Sequence, residues 1–499
     1  MESTIWSKLK SGTDIRGVAS EGVEGEHINL TDEVARQIAS AFILWLSKRS
    51  GKPANELKIA VGHDSRISAQ RIKAAVLKAA LNAGATAYDC GLSSTPAMFM
   101  STLDLQLEGS VQITASHHPF NRNGLKFFTP QGGLESEDIS EILTYCEQNQ
   151  LPERAEGGTV IQLDYMAQYA EQLRDIIKKG VNAPDFEQPL KGFKIIVDAG
   201  NGAGGFYASE VLAPLGADTS GSQFLEPDGT FPNHIPNPEN AEAMASVCAA
   251  TLKAGADLGV IFDTDVDRSS VVDSKGEAIS RNRLVALASA IALEGNEGGT
   301  IVTDSITSAG LKIFIENYLG GKHFRYKRGY RNVINQALLL NSQGINTPLA
   351  IETSGHAALR ENYFLDDGAY LVTKIIIKMA KLRQEGGSLS ALIADLAEPA
   401  EEREIRLKIE EEDFVSYGNS VIAGLESYAK KQQGWQIAED NREGIRVLLD
   451  KAHGNGWFLL RLSVHDPIMP LNIESDSKGG VDVIEKQVMS YLAGDLDNR

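Results

Sequence analysis

The chain has 499 residues, too many for one hydrophobic core, and a guide of roughly 150 residues per domain gives it three or four. Its 67 acidic and 48 basic residues leave a formal charge of -19, which argues against general affinity for nucleic acid or an anionic membrane and leaves room for a locally basic pocket. No run of about 20 apolar residues offers a membrane span, and Cys90, Cys146 and Cys248 are too scattered for a disulfide framework or a zinc site.

The start, Met1-Glu2-Ser3, carries no charged segment followed by an apolar stretch, so a cytoplasmic compartment is expected. Thr31 predicts the cap of a helix over 31–51, with Val34, Ile38, Phe42 and Leu46 about one turn apart and Gly51 at its end. "KIAVGHD" follows as a strand ending in a polar loop, then a helix over 66–83 stopped by Gly84, then a strand opening "TAYDCG". The order strand, polar or glycine-rich loop, helix, Gly-Ala, strand returns. "FKIIVDAGNGAGG" leads through a helix to "PLGADTSG", and "TLKAGADLGVIFD" and "GTIVTDSITSAG" open further units, which predicts related α/β domains in tandem. The charged segment 398–413, "EPAEEREIRLKIEEED", marks a change. Beyond it "GIRVLLD" and "GWFLLRLSVHD" alternate like strands beside helical stretches near 414–433 and 481–493, so a smaller α+β domain is expected.

Three loops carry chemistry. "ITASHHPFNRNGLKFF", residues 113–128, gathers a hydroxyl, two imidazoles and an ammonium around Pro119, and reads as a loop because buried strands avoid such polar density. "GVIFDTDVDRSSVV" sets Asp263, Asp265 and Asp267 at alternate positions after an apolar strand, and three clustered carboxylates repel unless a hard cation such as Mg²⁺ joins them. An EF-hand is rejected, since Arg268 and Ser274 stand where it needs Gly and Glu. "AIETSGHAAL" follows a strand with Glu352, Ser354 and His356, donors and acceptors that suit sugar hydroxyls. Gly200, Gly202 and Gly205 form G-x-G-x-x-G, but Asp218 starts the next strand rather than ending it, so a dinucleotide site is not expected. Lys322, Arg325, Lys327, Arg328 and Arg331 form the clearest basic patch.

Taken in order, "SGTDIRG", "VGHDSRIS", "GLSSTP", "TASHHP", "DTDVDR" and "ETSGH" resemble the motifs of the α-D-phosphohexomutases, the phosphoglucomutase and phosphomannomutase family, along nearly the whole chain. The resemblance implies three related α/β domains, at 1–155, 156–295 and 296–397, and a C-terminal α+β domain at 398–499 of the TATA-box-binding-protein-like type, around a central cleft. It implies that Ser116 is carried as phosphoserine and binds one Mg²⁺ jointly with Asp263, Asp265 and Asp267. Lys126 and Arg268 would offset charge on the transferring group, with His117, Lys126 and Arg16 available for proton movement or for orienting the hydroxyl. The partners implied are hexose phosphates and a hexose 1,6-bisphosphate intermediate, with Glu352, Ser354 and His356 holding sugar hydroxyls. The Ser-Gly-His form of that loop resembles the phosphomannomutase-type and dual-specificity branches.

The pattern breaks in two places. Where the family has R-x-S-G-T-E-P and then a second Arg, this chain reads "RLSVHDPIMP": Arg461, Ser463 and Pro467 remain, Val464, His465 and Asp466 are substituted, and Pro470 stands at the second Arg. Losing a flexible Gly and a bidentate guanidinium weakens the grip on the non-transferring phosphate, with Arg446 as partial compensation. In "RGYRNV", Tyr330 stands where one branch has His, and Arg331 replaces the Lys of another. The main expectation is a Mg²⁺-dependent phosphohexomutase. The alternative is a glucose-1,6-bisphosphate synthase fed by a donor such as fructose 1,6-bisphosphate. A non-catalytic sugar-phosphate-binding regulator is disfavoured by the intact Ser116, aspartates and Lys126, and a phosphatase would require water at the phosphoserine.

Overall fold

In the computed structural model, which describes residues 5–463 and 467–496, the chain divides into two units. The first comprises Met1–Ser280, Ser354–Ala358 and Leu365–Leu389; the second comprises Arg281–Thr353, Leu359–Phe364 and Ser390–Arg499.

In the first unit, one sheet orders its strands Lys10–Ser11, Asp14–Val18, Arg122–Thr129, Gly109–Ile113, Lys58–His63, Thr86–Leu92 and Thr159–Gln162. Lys58–His63 runs parallel to both of its neighbours and buries every residue except Lys58, as a strand covered on both faces must. Helices Asp32–Ser50, Ala69–Asn82 and Ser136–Glu147 supply buried apolar side chains to its core, including Phe42, Ile72 and Ile142. Thr31 caps the first of them by accepting from the Val34 N–H, and Gly51 ends it at φ 72°, a conformation that favours glycine. A second sheet places Leu258–Phe262 between Ile195–Asp198, parallel to it, and Ser269–Asp273, antiparallel.

In the second unit, Thr300–Thr303 lies between Lys322–Arg325 and Leu349–Ile351, all parallel. Its last sheet is antiparallel in the order Glu401–Lys408, Ile468–Ser475, Gly456–Leu460, Ile445–Leu449, Trp435–Ile437. Val447, Phe458, Leu471 and Ile473 pack there with Leu425 of helix Phe414–Ala429 and Ile484 of helix Gly480–Leu496.

Three local expectations change. The charged segment after 398 contains the edge strand Glu401–Lys408, whose charges leave it mostly exposed and discourage further strand pairing. The helix after the Gly200 turn is a π-helical stretch, Tyr207–Leu212, followed by a 3₁₀ turn, Ala213–Leu215, because Pro214 has no N–H to continue an α-helical ladder. The polar stretch 113–128 is a loop only to Asn121. Arg122–Thr129 is an interior strand, so Lys126 projects from a sheet. Among the described residues no helix is long and apolar enough to cross a membrane, and Cys90, Cys146 and Cys248 are unpaired thiols.

Candidate active site

The chain leaves strand Gly109–Ile113 and reaches Ser116 with φ at 50°, uncommon for a residue with a side chain. Ser116 is buried. Its Oγ lies 3.2 Å from Asp263 Oδ2, 3.0 Å from Arg268 Nη2 and 3.3 Å from His117 Nδ1. In the neighbouring strand Gly124 admits the backbone of Asp14–Val18, since a Cβ there would meet Ile15 O at 2.4 Å. Two residues on, Lys126 Nζ donates to Asp265 Oδ2 at 3.0 Å and to Asp267 Oδ2.

The three aspartates come from a tight turn after the fully buried strand Leu258–Phe262. Asp263 N donates to Arg268 O at 3.2 Å across this turn, and the β-branched Val266 takes φ of 70°, a strained geometry that turns alternate carboxylates inward. Asp263, Asp265, Asp267 and Arg268 are at most 2% exposed. One oxygen from each carboxylate lies within 4.8 Å of the others. Asp265 Oδ1 and Asp267 Oδ1 are buried and make no hydrogen bond, a costly state for a carboxylate oxygen. A hard divalent cation, which takes oxygen ligands, fits this donor set. Burial, aided by Asp267 and Asp265, pushes the Asp263 carboxyl well above its ordinary range. At Asp267 burial raises the pKa, but Lys126, His356 and Arg268 together prevail and lower it.

His117 is kept neutral by burial and then by the Arg268 charge, and its Nδ1 faces Arg268 Nη2 at 2.6 Å, so it serves as an acceptor. Burial and Arg16 bring His118 down to about 3. Arg16 itself pairs with Asp14 at 2.7 Å. Arg268 also reaches Asn237 Oδ1 at 3.2 Å. His356 stands with Nδ1 2.5 Å from Asp366 Oδ2 and 3.8 Å from Asp267 Oδ1. Burial opposes its charge, but these two carboxylates raise its pKa to about 9. His356 with Asp267 and Asp366 is a second group of metal-capable spacing, but an imidazolium between carboxylates already supplies a positive charge there. Ser354 is buried beside it, and Gly355 at φ 97° passes so close to the carboxylate turn that a Cβ would lie 2.6 Å from Ser269 O.

The remaining expected residues belong to the second unit. Glu352 accepts from Gly329 N at 2.6 Å and Glu443 from Arg328 N at 3.1 Å, so two carboxylates hold consecutive amides of the basic loop ahead of Arg331, in the first turn of helix Tyr330–Ser342. Arg446, expected to grip phosphate, is 2% exposed and donates to Ser305 O at 2.9 Å and Thr307 O at 3.1 Å, with Trp457 stacked 3.5 Å away. That placement suits a brace rather than a ligand contact. Arg461 N donates to Pro470 O at 3.2 Å and Ser463 N to Ile468 O at 3.0 Å. Val464, His465 and Asp466 lie outside the described residues. Pro470 is buried in strand Ile468–Ser475 opposite Arg406.

Sequence reasoning did not single out Asp366, which holds His356, or Asp64, Arg66 and Thr114, which surround the Ser116 loop. The signal available was a cluster of polar residues directly after an apolar strand, in "GHDSR", and paired acids before a helix, in "LDDGAY".

Comparison with known proteins yields matches to three models of the phosphoglucomutase/phosphomannomutase family: alpha/beta/alpha domain I over residues 8–153, domain II over 167–276 and domain III over 280–400. A phosphoglucomutase/phosphomannomutase of Thermococcus kodakarensis is 31% identical over 476 residues, covering 94% of this chain and 95% of that protein. A phosphomannomutase/phosphoglucomutase of Pseudomonas putida is 29% identical over 93% of this chain and 91% of its own length. The crystal structure of a phosphoglucomutase/phosphomannomutase family protein from Burkholderia thailandensis superposes with a TM-score of 0.79 at 25% identity, covering 98% of each chain.

Proposed function

Because the chain belongs to the phosphoglucomutase/phosphomannomutase family, whose members are phosphotransferase isomerases, we propose that it is a Mg²⁺-dependent phosphohexomutase working through a phosphorylated Ser116. Its substrates are hexose phosphates, and a hexose 1,6-bisphosphate is the intermediate. The observation that carries the reading is the position of Ser116 Oγ, within hydrogen-bond reach of both Asp263 and Arg268 at the edge of a buried carboxylate triplet.

Asp263, Asp265 and Asp267 would hold Mg²⁺ together with the phosphoserine. When bound, the ion supplies charge neutralisation to the phosphoryl group. The sugar hydroxyl oxygen would form the new bond to phosphorus as the bond to Ser116 Oγ breaks, and the proton the hydroxyl gives up balances the one Ser116 Oγ takes up. Arg268 Nη2, 3.0 Å from that oxygen, steadies the charge it acquires. Lys126 is bound to Asp265 and Asp267 and stands ready to meet the equatorial oxygens of the transferring group. His117, neutral and engaged by Arg268, orients that guanidinium rather than carrying a proton. Glu352, Ser354 and His356 would meet the sugar hydroxyls, and Arg331, Arg461 and Ser463 the distal phosphate.

Intact mass and peptide mapping test the covalent step. Phosphate on Ser116 is expected, with hexose-phosphate turnover lost in Ser116→Ala; full turnover in that variant would overturn it. A second reading, glucose-1,6-bisphosphate synthase, is favoured by the substituted loop "RLSVHDPIMP" and the buried Pro470 within it. Phosphorus NMR of glucose 1-phosphate with fructose 1,6-bisphosphate as donor separates the two. Net glucose 1,6-bisphosphate marks the synthase, and rapid isomerisation without it marks the mutase.

A further inference from the structure

Two residues beyond the end of strand Lys58–His63 hold the Ser116 loop without touching any reacting atom. The Arg66 side chain is fully buried. Its Nη1 donates to Pro119 O at 2.7 Å and Arg122 O at 2.8 Å, and its Nη2 to Ser116 O at 2.5 Å and His118 O at 2.6 Å. Three of these carbonyls belong to the one loop, and Arg122 O opens the strand that follows it. Asp64, two residues earlier, reaches the same loop at Thr114. Its Oδ2 accepts from Thr114 Oγ1 at 2.6 Å, and that hydroxyl in turn accepts the Ser116 N–H at 2.9 Å.

The consequence is specific to one Cα. The peptide group before Ser116 is held through Thr114 and Asp64, and the carbonyl after it through Arg66. Ser116 sits at φ 50°, a conformation that a residue with a Cβ keeps only where its surroundings over-determine it. The clamp is itself fixed. Asp64 Oδ1 accepts from Arg66 N at 2.9 Å, Asp64 Oδ2 lies 3.4 Å from Arg66 Nε, and Asp64 N donates to Ile113 O at 3.0 Å. Gly229 closes over the turn so tightly that a Cβ would lie 2.4 Å from both Ile67 N and Ser65 O.

We infer that Asp64 and Arg66 are positioning residues that lock the left-handed backbone of Ser116 and so aim its Oγ at the carboxylate triplet and Arg268. The inference rests on the reading of Ser116 as the phosphoryl carrier. Loss of the clamp leaves the metal ligands and sugar-binding residues in place but lets the nucleophile wander. A displacement of about 1 Å at a reacting atom is enough to cost on the order of a hundredfold in rate.

The test uses the full chain with Arg66→Lys and Arg66→Ala, glucose 1-phosphate as substrate and Mg²⁺ present. In Arg66→Lys, kcat is expected to fall roughly a hundredfold with KM within about threefold of wild type. In Arg66→Ala, added guanidinium ion is expected to restore part of kcat, which a merely destabilised fold would not do. Hydrogen exchange gives a readout independent of turnover: amides of 114–122 exchange faster in Arg66→Lys, while those of 263–268 keep their wild-type rate. Unchanged exchange in 114–122, or a kcat within about twofold of wild type, overturns the clamp. If Ser116→Ala retains full turnover, it is the phosphoserine reading that fails, and faster exchange in 114–122 still supports the clamp as a backbone lock.

Discussion

His356 offers a measurable link between the site's electrostatics and its stability. Its Nδ1 lies 2.5 Å from Asp366 and 3.8 Å from Asp267, and these carboxylates lift its pKa from 6.5 to about 9. A folded-state pKa above the unfolded value means that the folded chain holds the extra proton between those two limits. The stabilisation is therefore complete below pH 6.5 and is lost as pH rises through 9. A gap of roughly 2.5 pH units at about 1.36 kcal/mol each is worth on the order of 3 kcal/mol. With the side chain 16% exposed, water trims this toward about 2 kcal/mol. The assay is chemical denaturation of metal-free wild type and His356→Gln at about pH 6 and about pH 9.5. The stability difference between the two proteins should shrink by about 2 kcal/mol toward the alkaline end. A difference that stays constant across that window would refute the buried ion pair.

Asp265→Asn should weaken Mg²⁺ binding by at least about tenfold and lower kcat by about a hundredfold, with chelation of the wild type abolishing turnover and Mg²⁺ restoring it; calorimetry and steady-state rates check both. Arg446→Met strands the Ser305 carbonyl and leaves the Thr307 carbonyl only its Arg325 donor, so thermal unfolding should show a loss of about 1–3 kcal/mol. KM for hexose phosphate should hardly move; a large rise in KM with an unchanged melt would return Arg446 to the phosphate site.

Much of this architecture is legible in the sequence because short apolar runs ending in polar loops encode buried parallel strands and the sites at their ends. Asp263, Asp265 and Asp267 stand out for the same reason: alternate carboxylates after Leu258–Phe262 have no packing explanation. Lys126 was legible as a residue type but not as part of a strand, since its polar neighbours mask an interior strand whose burial comes from the Asp14–Val18 and Gly109–Ile113 pairings. Asp64, Arg66 and Asp366 work through partners distant along the chain, and periodicity says nothing of such pairs. Arg446 shows the converse. A lone arginine in a strand reads equally as an anion ligand or a brace, and the carbonyls of Ser305 and Thr307 around it favour the brace.

On the proposed reading, the charges around Ser116 suit a phosphoryl group and a divalent cation entering together. Asp263, Asp265 and Asp267 face Lys126 and Arg268, while His356 and Asp366 cancel one another, which leaves one formal negative charge in a buried site. Mg²⁺ alone reverses that sign, and a dianionic phosphoryl group alone triples it. Both together return the site to its starting charge, so each offsets the cost of burying the other. Burial and the neighbouring carboxylates push the Asp263 pKa up, and Lys126 lies between Asp265 and Asp267. On the proposed mechanism, a bound Mg²⁺ would favour the ionised Asp263 carboxyl and compete with Lys126 for Asp265 and Asp267, leaving the ammonium available to the phosphoryl oxygens. By reciprocity phosphorylated Ser116 should tighten Mg²⁺, and equal Mg²⁺ affinity in phosphorylated wild type and Ser116→Ala would contradict this account.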